Sequence, residues 1–144
     1  MIKIVLGSDH GGLELKQAIK THLETRNCES ITDLGTYTTD SVDYPDFAEK
    51  VCTSILNQDA DLGILVCGTG IGISIKANRY KGIRAALVHD TFTAQMCKEH
   101  NNANVLCLGG RTTDTDTALT LIDTWLDATF EGGRHQNRLD KLDA

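Results

Sequence analysis

Apolar positions along the chain come in short, nearly continuous runs, separated by longer stretches in which they recur every third or fourth residue. The runs are "IKIVLG", "SITDLG", "LGILVC", "IRAALV" and "NVLCLGG". Their length and bounding turn residues predict strands covered on both faces. In "LELKQAIKTHLETR", Leu15, Ala18, Ile19 and Leu23 fall on one helical face, and in "FAEKVCTSIL" Phe47, Val51 and Ile55 do the same. "TALTLIDTWLDATF" turns Leu121, Ile122, Trp125 and Leu126 inward, and "GISIKANRY" and "TFTAQMCKEH" complete the helical set. Five strands alternating with five helices predict an α/β fold, a five-stranded parallel sheet between helical layers.

Such sheets bind ligands at the carboxyl ends of their strands, near the switch in strand order. That directs attention to Gly7–Gly12, Cys67–Gly72, His89–Asp90 and Gly109–Arg111. No repeat or low-complexity linker interrupts the chain, and Pro45 is its one proline. A length of 144 residues fits a single domain, 1–144, ending in an arginine-bearing tail over 131–144.

Composition narrows the partners. A net charge of −6 argues against nucleic acid, which needs a basic face, but leaves room for a local cluster that binds a small anion. No window approaches the roughly 18 uninterrupted apolar residues of a membrane span. The opening "MIKIVLGSDH" reads as a first strand and not as a signal peptide. Cys28, Cys52, Cys67, Cys97 and Cys107 are odd in number and scattered, without a Cys-x-x-Cys pair. Neither a disulfide framework nor a metal site is expected, and a reducing cytoplasm is the expected setting.

Cys67 stands apart from the other cysteines. It ends a strand, and "GTGIG" follows at once, a glycine turn opening a helix. The spacing is neither a dinucleotide fingerprint nor a nucleoside triphosphate loop. Free amides and the dipole at a helix start favour an anion and a thiolate. A thiolate beside an anion hole suits proton abstraction that generates an oxyanion. The other four cysteines read as structural.

Three further stretches carry candidates with plainer alternatives. In "GSDHGG", Asp9 and His10 either face a ligand or, for Asp9, cap the next helix. His100 in "EHNNANV" is either a favourable charge at a helix end or a general acid–base group. Arg134 and Arg138 lie four apart, on one face if the tail is helical, and with Arg111 could clamp a phosphate. His89–Asp90 reads as a strand-end loop with Asp90 capping a helix, since the histidines that would support a metal are missing.

Together, "GSDHGG", "DYPDFA", "CGTGIGISIKANR", "EHNNANVLCLGGR" and "FEGGRHQNR" resemble the type B ribose-5-phosphate isomerase family over almost the whole chain. The resemblance implies a Rossmann-like three-layer α/β/α sandwich, a homodimer or homotetramer, and no metal or organic cofactor. It implies interconversion of ribose 5-phosphate and ribulose 5-phosphate in the pentose phosphate pathway, through an enediolate with Cys67 as base. The amides of Gly68, Thr69, Gly70, Ile71 and Gly72 would hold the oxyanion. His100, helped by Thr69, would open the furanose ring. Asp9, His10, Tyr44 and Asn101 match sugar-binding positions, and Arg111, Arg134 and Arg138 match binding positions, the last two with His10 favouring phosphate. Residues of both subunits would share the site. The helix after the glycine turn, "ISIKANR", carries no acid that could replace the cysteine as base. Galactose-6-phosphate or allose-6-phosphate isomerase and a non-catalytic sugar-phosphate binder are the rival expectations.

Overall fold

All five apolar runs form strands in the computed structural model, which describes Met1–Ala144. β1 (Lys3–Ser8) runs through a short 3-10 turn at His10–Gly12 into α1 (Leu13–Leu23). β2 (Ser30–Asp33), α2 (Tyr44–Leu56), β3 (Leu62–Cys67) and α3 (Ile71–Ala77) follow. The chain continues through β4 (Ala85–Leu87), α4 (Thr91–Glu99), β5 (Val105–Gly109), α5 (Thr115–Asp127) and a sixth helix, α6 (Arg134–Leu139). All pairings are parallel, in the order β2-β1-β3-β5-β4. The chain steps from β1 to β2, then crosses back to β3 on the other side, so the switch point lies between β1 and β3.

Side chains alternate across the sheet, as a strand's period of two requires. Ile64 and Val66 face the layer of α1, α4 and α5, where Trp125 is fully buried and its indole N–H donates to the Ala103 carbonyl at 3.1 Å. Leu65 and Cys67 face the layer of α2 and α3. The Cys67 side chain therefore points toward the helix that its own turn initiates. Lys16, outside the apolar face of α1, is fully buried; its ammonium donates to the Asp33 carboxylate and to the Thr36 carbonyl at 2.7 Å. This ties α1 to the end of β2.

The element boundaries differ from the sequence pattern where local chemistry overrides periodicity. α2 starts at Tyr44, because Pro45 suits the first helical turn. α3 stops at Ala77 because the Asn78 side chain pairs with both the N–H and the carbonyl of Ala85. That contact also satisfies the outer edge of β4, which is shorter than its apolar run.

Candidate active site

The site is built first from the carboxyl ends of β1, β3 and β5. β3 ends at Cys67, and the Gly70 amide donates to its sulfur at 3.1 Å. A charged or partly charged sulfur is stabilised by a donor held in this way. Gly70 adopts φ +78°, and a Cβ there would come within 2.6 Å of Leu87 and 2.9 Å of the Leu108 backbone. The turn needs glycine for both reasons. The Thr69 hydroxyl accepts the Ile71 N–H at 3.2 Å, fixing the first turn of α3. Tyr44, leading α2, lies so close over Gly72 that a Cβ would meet its ring at 2.5 Å.

Neighbouring strand ends lock onto this turn. The Gly110 N–H donates to the Cys67 carbonyl at 2.8 Å and the Arg111 N–H to the Gly68 carbonyl at 2.9 Å. The Arg111 guanidinium arches over Gly68, where a Cβ would stand 3.1 Å from its Nη1. Asp9 is buried, and its carboxylate accepts the Gly12 N–H at 3.1 Å, so it caps the 3-10 turn before α1. His10 accepts the Val42 N–H on Nδ1 at 3.2 Å, which leaves Nε2 as the ring's donor. His10, Gly11, Glu14, Gly110, Arg111 and Thr113 line a mainly polar cavity of about 470 Å³. Cys67 is not among its lining residues; Arg111 connects the two by reaching back over the turn.

The thiols of Cys52 and Cys97 instead donate to the carbonyls of Ala77 and Ala94. Burial pushes the Cys52 thiol up to about 12 and the Cys97 thiol to about 11, and raises Cys107 well above its ordinary value. All three are held as neutral thiols within the helix layers or the sheet. Asp90 caps α4 by accepting the Thr93 N–H at 2.8 Å, as its position after β4 suggests.

A second group of candidates gathers at the opposite edge of the sheet. In a parallel sheet each helix returns the chain from the carboxyl edge to the amino edge. α4 therefore delivers His100 and Asn101 to the edge where β5 begins, and α5 delivers the tail to the same place. The two segments meet there: the Glu131 N–H donates to the Glu99 carbonyl at 2.9 Å. Glu131 Oε1 lies 3.3 Å from His100 Nε2 and 3.5 Å from His135 Nε2. The two imidazoles stack with centroids 4.3 Å apart and planes 13° apart. Burial, then the charges of His100 and Arg134, push His135 below the ordinary histidine range. Gly132 and Gly133, both at positive φ, turn the chain into α6, which carries Arg134 and Arg138. The tail is helical, which is the condition under which the two arginines share a face.

One chain thus brings Asp9, His10, Tyr44, Cys67, the glycine turn and Arg111 to one edge, and His100, Asn101, Arg134 and Arg138 to the other. Five residues of β5 at about 3.3 Å each set the two groups roughly 15 Å apart. Glu131 and His135 were missed by sequence reasoning; the only signal was the histidine between the two arginines of "RHQNR". Next to the glycine turn, Ile71, Ile75 and Phe92 are more than half exposed. No helix is long and apolar enough to cross a membrane.

Comparison with known proteins identifies the relatives of this arrangement. A family model described as Ribose/Galactose Isomerase matches residues 4–142. Ribose-5-phosphate isomerase B of Escherichia coli K12 is 44% identical, covering 100% of this chain and 96% of its own. The structure of Clostridium thermocellum ribose-5-phosphate isomerase B superimposes with a TM-score of 0.97 at 48% identity, covering 99% of this chain and 95% of that one. The Mycoplasma genitalium ribose-5-phosphate isomerase B, solved with bound ribulose-5-phosphate, gives 0.92 at 48% identity, covering 96% and 92%.

Proposed function

Since this chain belongs to the ribose/galactose isomerase family of sugar phosphate isomerases, we propose that it interconverts D-ribose 5-phosphate and D-ribulose 5-phosphate through a cis-enediolate, with Cys67 as the base. The observation that carries this reading is the hydrogen bond from the Gly70 amide to the Cys67 sulfur. His100 opens the furanose ring, helped by Thr69. The Cys67 thiolate then removes the proton from carbon 2, and the electrons of that bond pass into the carbon 1 carbonyl. The amides of Gly68, Thr69 and Gly72, and those of Gly70 and Ile71 as they release the Cys67 sulfur and the Thr69 hydroxyl, stabilise the resulting oxyanion. Returning the proton to carbon 1, as a proton passes from oxygen 2 to oxygen 1, yields the ketose. Tyr44, Asp9 and Asn101 hold the sugar hydroxyls, and His10, Arg111, Arg134 and Arg138 hold the phosphate. The chemistry requires no metal or organic cofactor.

The separation of the two groups within one chain favours a site shared by two subunits of a homodimer or homotetramer. The exposed apolar residues Ile71, Ile75 and Phe92 beside the turn suit burial by a partner copy. A mixing experiment tests this. A Cys67→Ala subunit paired with an Arg134→Ala/Arg138→Ala subunit leaves one site with both defects and the other with none. Each homodimer is expected to be crippled, and verified heterodimers to regain a large part of the activity. No regain would place the tail over its own subunit's turn. A panel of five- and six-carbon aldose phosphates tests the substrate, with turnover highest on ribose 5-phosphate. Preference for allose 6-phosphate would move the assignment to a six-carbon sugar, and absence of turnover on every sugar would leave a binding protein.

A further inference from the structure

The cluster at the amino edge contains more ligating atoms than ring opening needs. His100 alone suffices as an acid–base group, yet Glu131 and His135 converge on the same point. His100 Nε2, Glu131 Oε1 and His135 Nε2 all lie within 4.8 Å of one another. Ligands about 2.0–2.2 Å from a tetrahedral zinc-class ion stand about 3.3–3.6 Å apart. The two histidine–carboxylate separations, 3.3 and 3.5 Å, already match such edges. Two imidazoles and a carboxylate are a donor set of borderline softness, suited to zinc, cobalt or nickel and poorly suited to magnesium or calcium. We propose that His100, Glu131 and His135 form a site for a zinc-class divalent ion, and that the bound ion switches the isomerase off by occupying the Nε2 lone pair of His100. The inhibitory half rests on the ring-opening role given to His100 above.

Several features frame the site. The His135 side chain is 8% exposed and faces the Glu131 carboxylate at 3.5 Å. His100 and Glu131 are 41% and 48% exposed, which leaves them open to an ion and free to adjust. The imidazoles stack nearly parallel, so binding requires them to splay until both lone pairs converge. The Glu131 backbone is tethered to Glu99, which keeps the carboxylate beside His100 as the rings move. The charges of Arg134 and Arg138 reach His135 and oppose a dication. The site is therefore expected to be weaker than a structural zinc centre, and to bind reversibly.

The test is titration of the purified protein with Zn²⁺, and separately with Co²⁺, whose visible absorption reports tetrahedral coordination. Calorimetry is expected to find one ion per chain, with activity on ribose 5-phosphate falling in proportion and returning on addition of a chelator. Glu131→Gln and His135→Gln should each weaken binding by about 10-fold or more, since even an outer-shell partner contributes about that much. Glu131 is exposed, so its variant keeps the test valid if the buried His135 variant folds poorly. Equal zinc affinity in the parent and in both variants would overturn the site. So would loss of zinc binding in Cys67→Ala alone, which would assign the ion to the thiolate. Stoichiometric binding lost in both variants, with the parent's turnover undiminished at saturation, would uphold the site and overturn the ring-opening role of His100.

Discussion

The two edges of the sheet assemble their chemistry by different means. At the carboxyl edge the backbone supplies it: the Gly70 amide meets the Cys67 sulfur, and Gly110 and Arg111 hydrogen-bond to the carbonyls of the same turn. Strand ends fix these groups, and the close approaches at Gly70 and Gly72 leave no slack. At the amino edge side chains supply it, from a helix end and a tail joined through Glu131 to Glu99. The first arrangement is rigid before any ligand arrives, which is what an oxyanion-stabilising group requires. The second is half exposed, and a covering partner or ligand would complete it. On the proposed mechanism, the proton transfer, which tolerates no misplacement, falls to the sheet, and ring opening falls to elements that can adjust.

The largest effect that would break this comparison is expected at the turn. Cys67→Ala should lower turnover by about 10²–10⁴-fold, the range for a positioned general base. The melting temperature should move little, because the sulfur is small and the turn's glycines remain. Near-native turnover in a folded variant would remove Cys67 from the reaction and return it to the other buried cysteines.

The next effect separates the two edges by step. His100→Asn should slow turnover of ribose 5-phosphate severely. Erythrose 4-phosphate cannot close a furanose through its phosphorylated end, so it should escape the penalty if it is a substrate of the parent. Equal losses on both sugars would assign His100 to proton transfer or binding, and the division of labour between the edges would fail.

How far the sequence disclosed this division depended on what sort of signal each part leaves. β1, β3 and β5 are nearly continuous apolar runs because both faces are covered, so they were legible. The glycine turn after Cys67 was legible for a related reason: close approach of neighbouring groups leaves no room for a Cβ, and glycine spacing records it. The boundaries of α2 and α3 were less so, because Pro45 and Asn78 act through single local contacts that periodicity does not register. The meeting of His100, Glu131 and His135 was invisible. Those residues come from two segments that only the return of α4 and α5 to one edge brings together. Buried Lys16 was missed because its partners, Asp33 at the end of β2 and Thr36 in the loop after it, are distant in sequence. A local pattern can show what a residue is suited to, but not which distant residue will stand beside it.

A smaller effect concerns the tail. Arg138→Ala should raise KM for ribose 5-phosphate by about one to two decades, the equivalent of a charge-assisted hydrogen bond worth about 1.5–3 kcal/mol. kcat should change less, because the phosphate is remote from carbons 1 and 2. A KM that stays at the parent's value would return Arg138 to the solvated surface and leave Arg134 as the one phosphate ligand proposed at the amino edge.

The smallest effect sharpens the contrast between Cys67, at a strand end, and a cysteine held within a helix layer. Cys52 is fully buried between α2 and α3, and burial moves its thiol from 9.0 to about 12. In the unfolded chain it ionises near 9.0, so between that pH and about 12 the folded state holds a proton that the unfolded state has lost. The stability this difference provides is fully present below 9.0 and is lost as pH rises toward 12. Urea unfolding midpoints at pH values spaced across this window should therefore fall with pH in the parent. In Cys52→Ala they should fall less steeply, from a lower start set by the small cavity left behind. An identical slope in the variant would mean that the alkaline loss comes from other groups, and that the helix layer around Cys52 admits enough water to let its thiol ionise as it does in the unfolded chain.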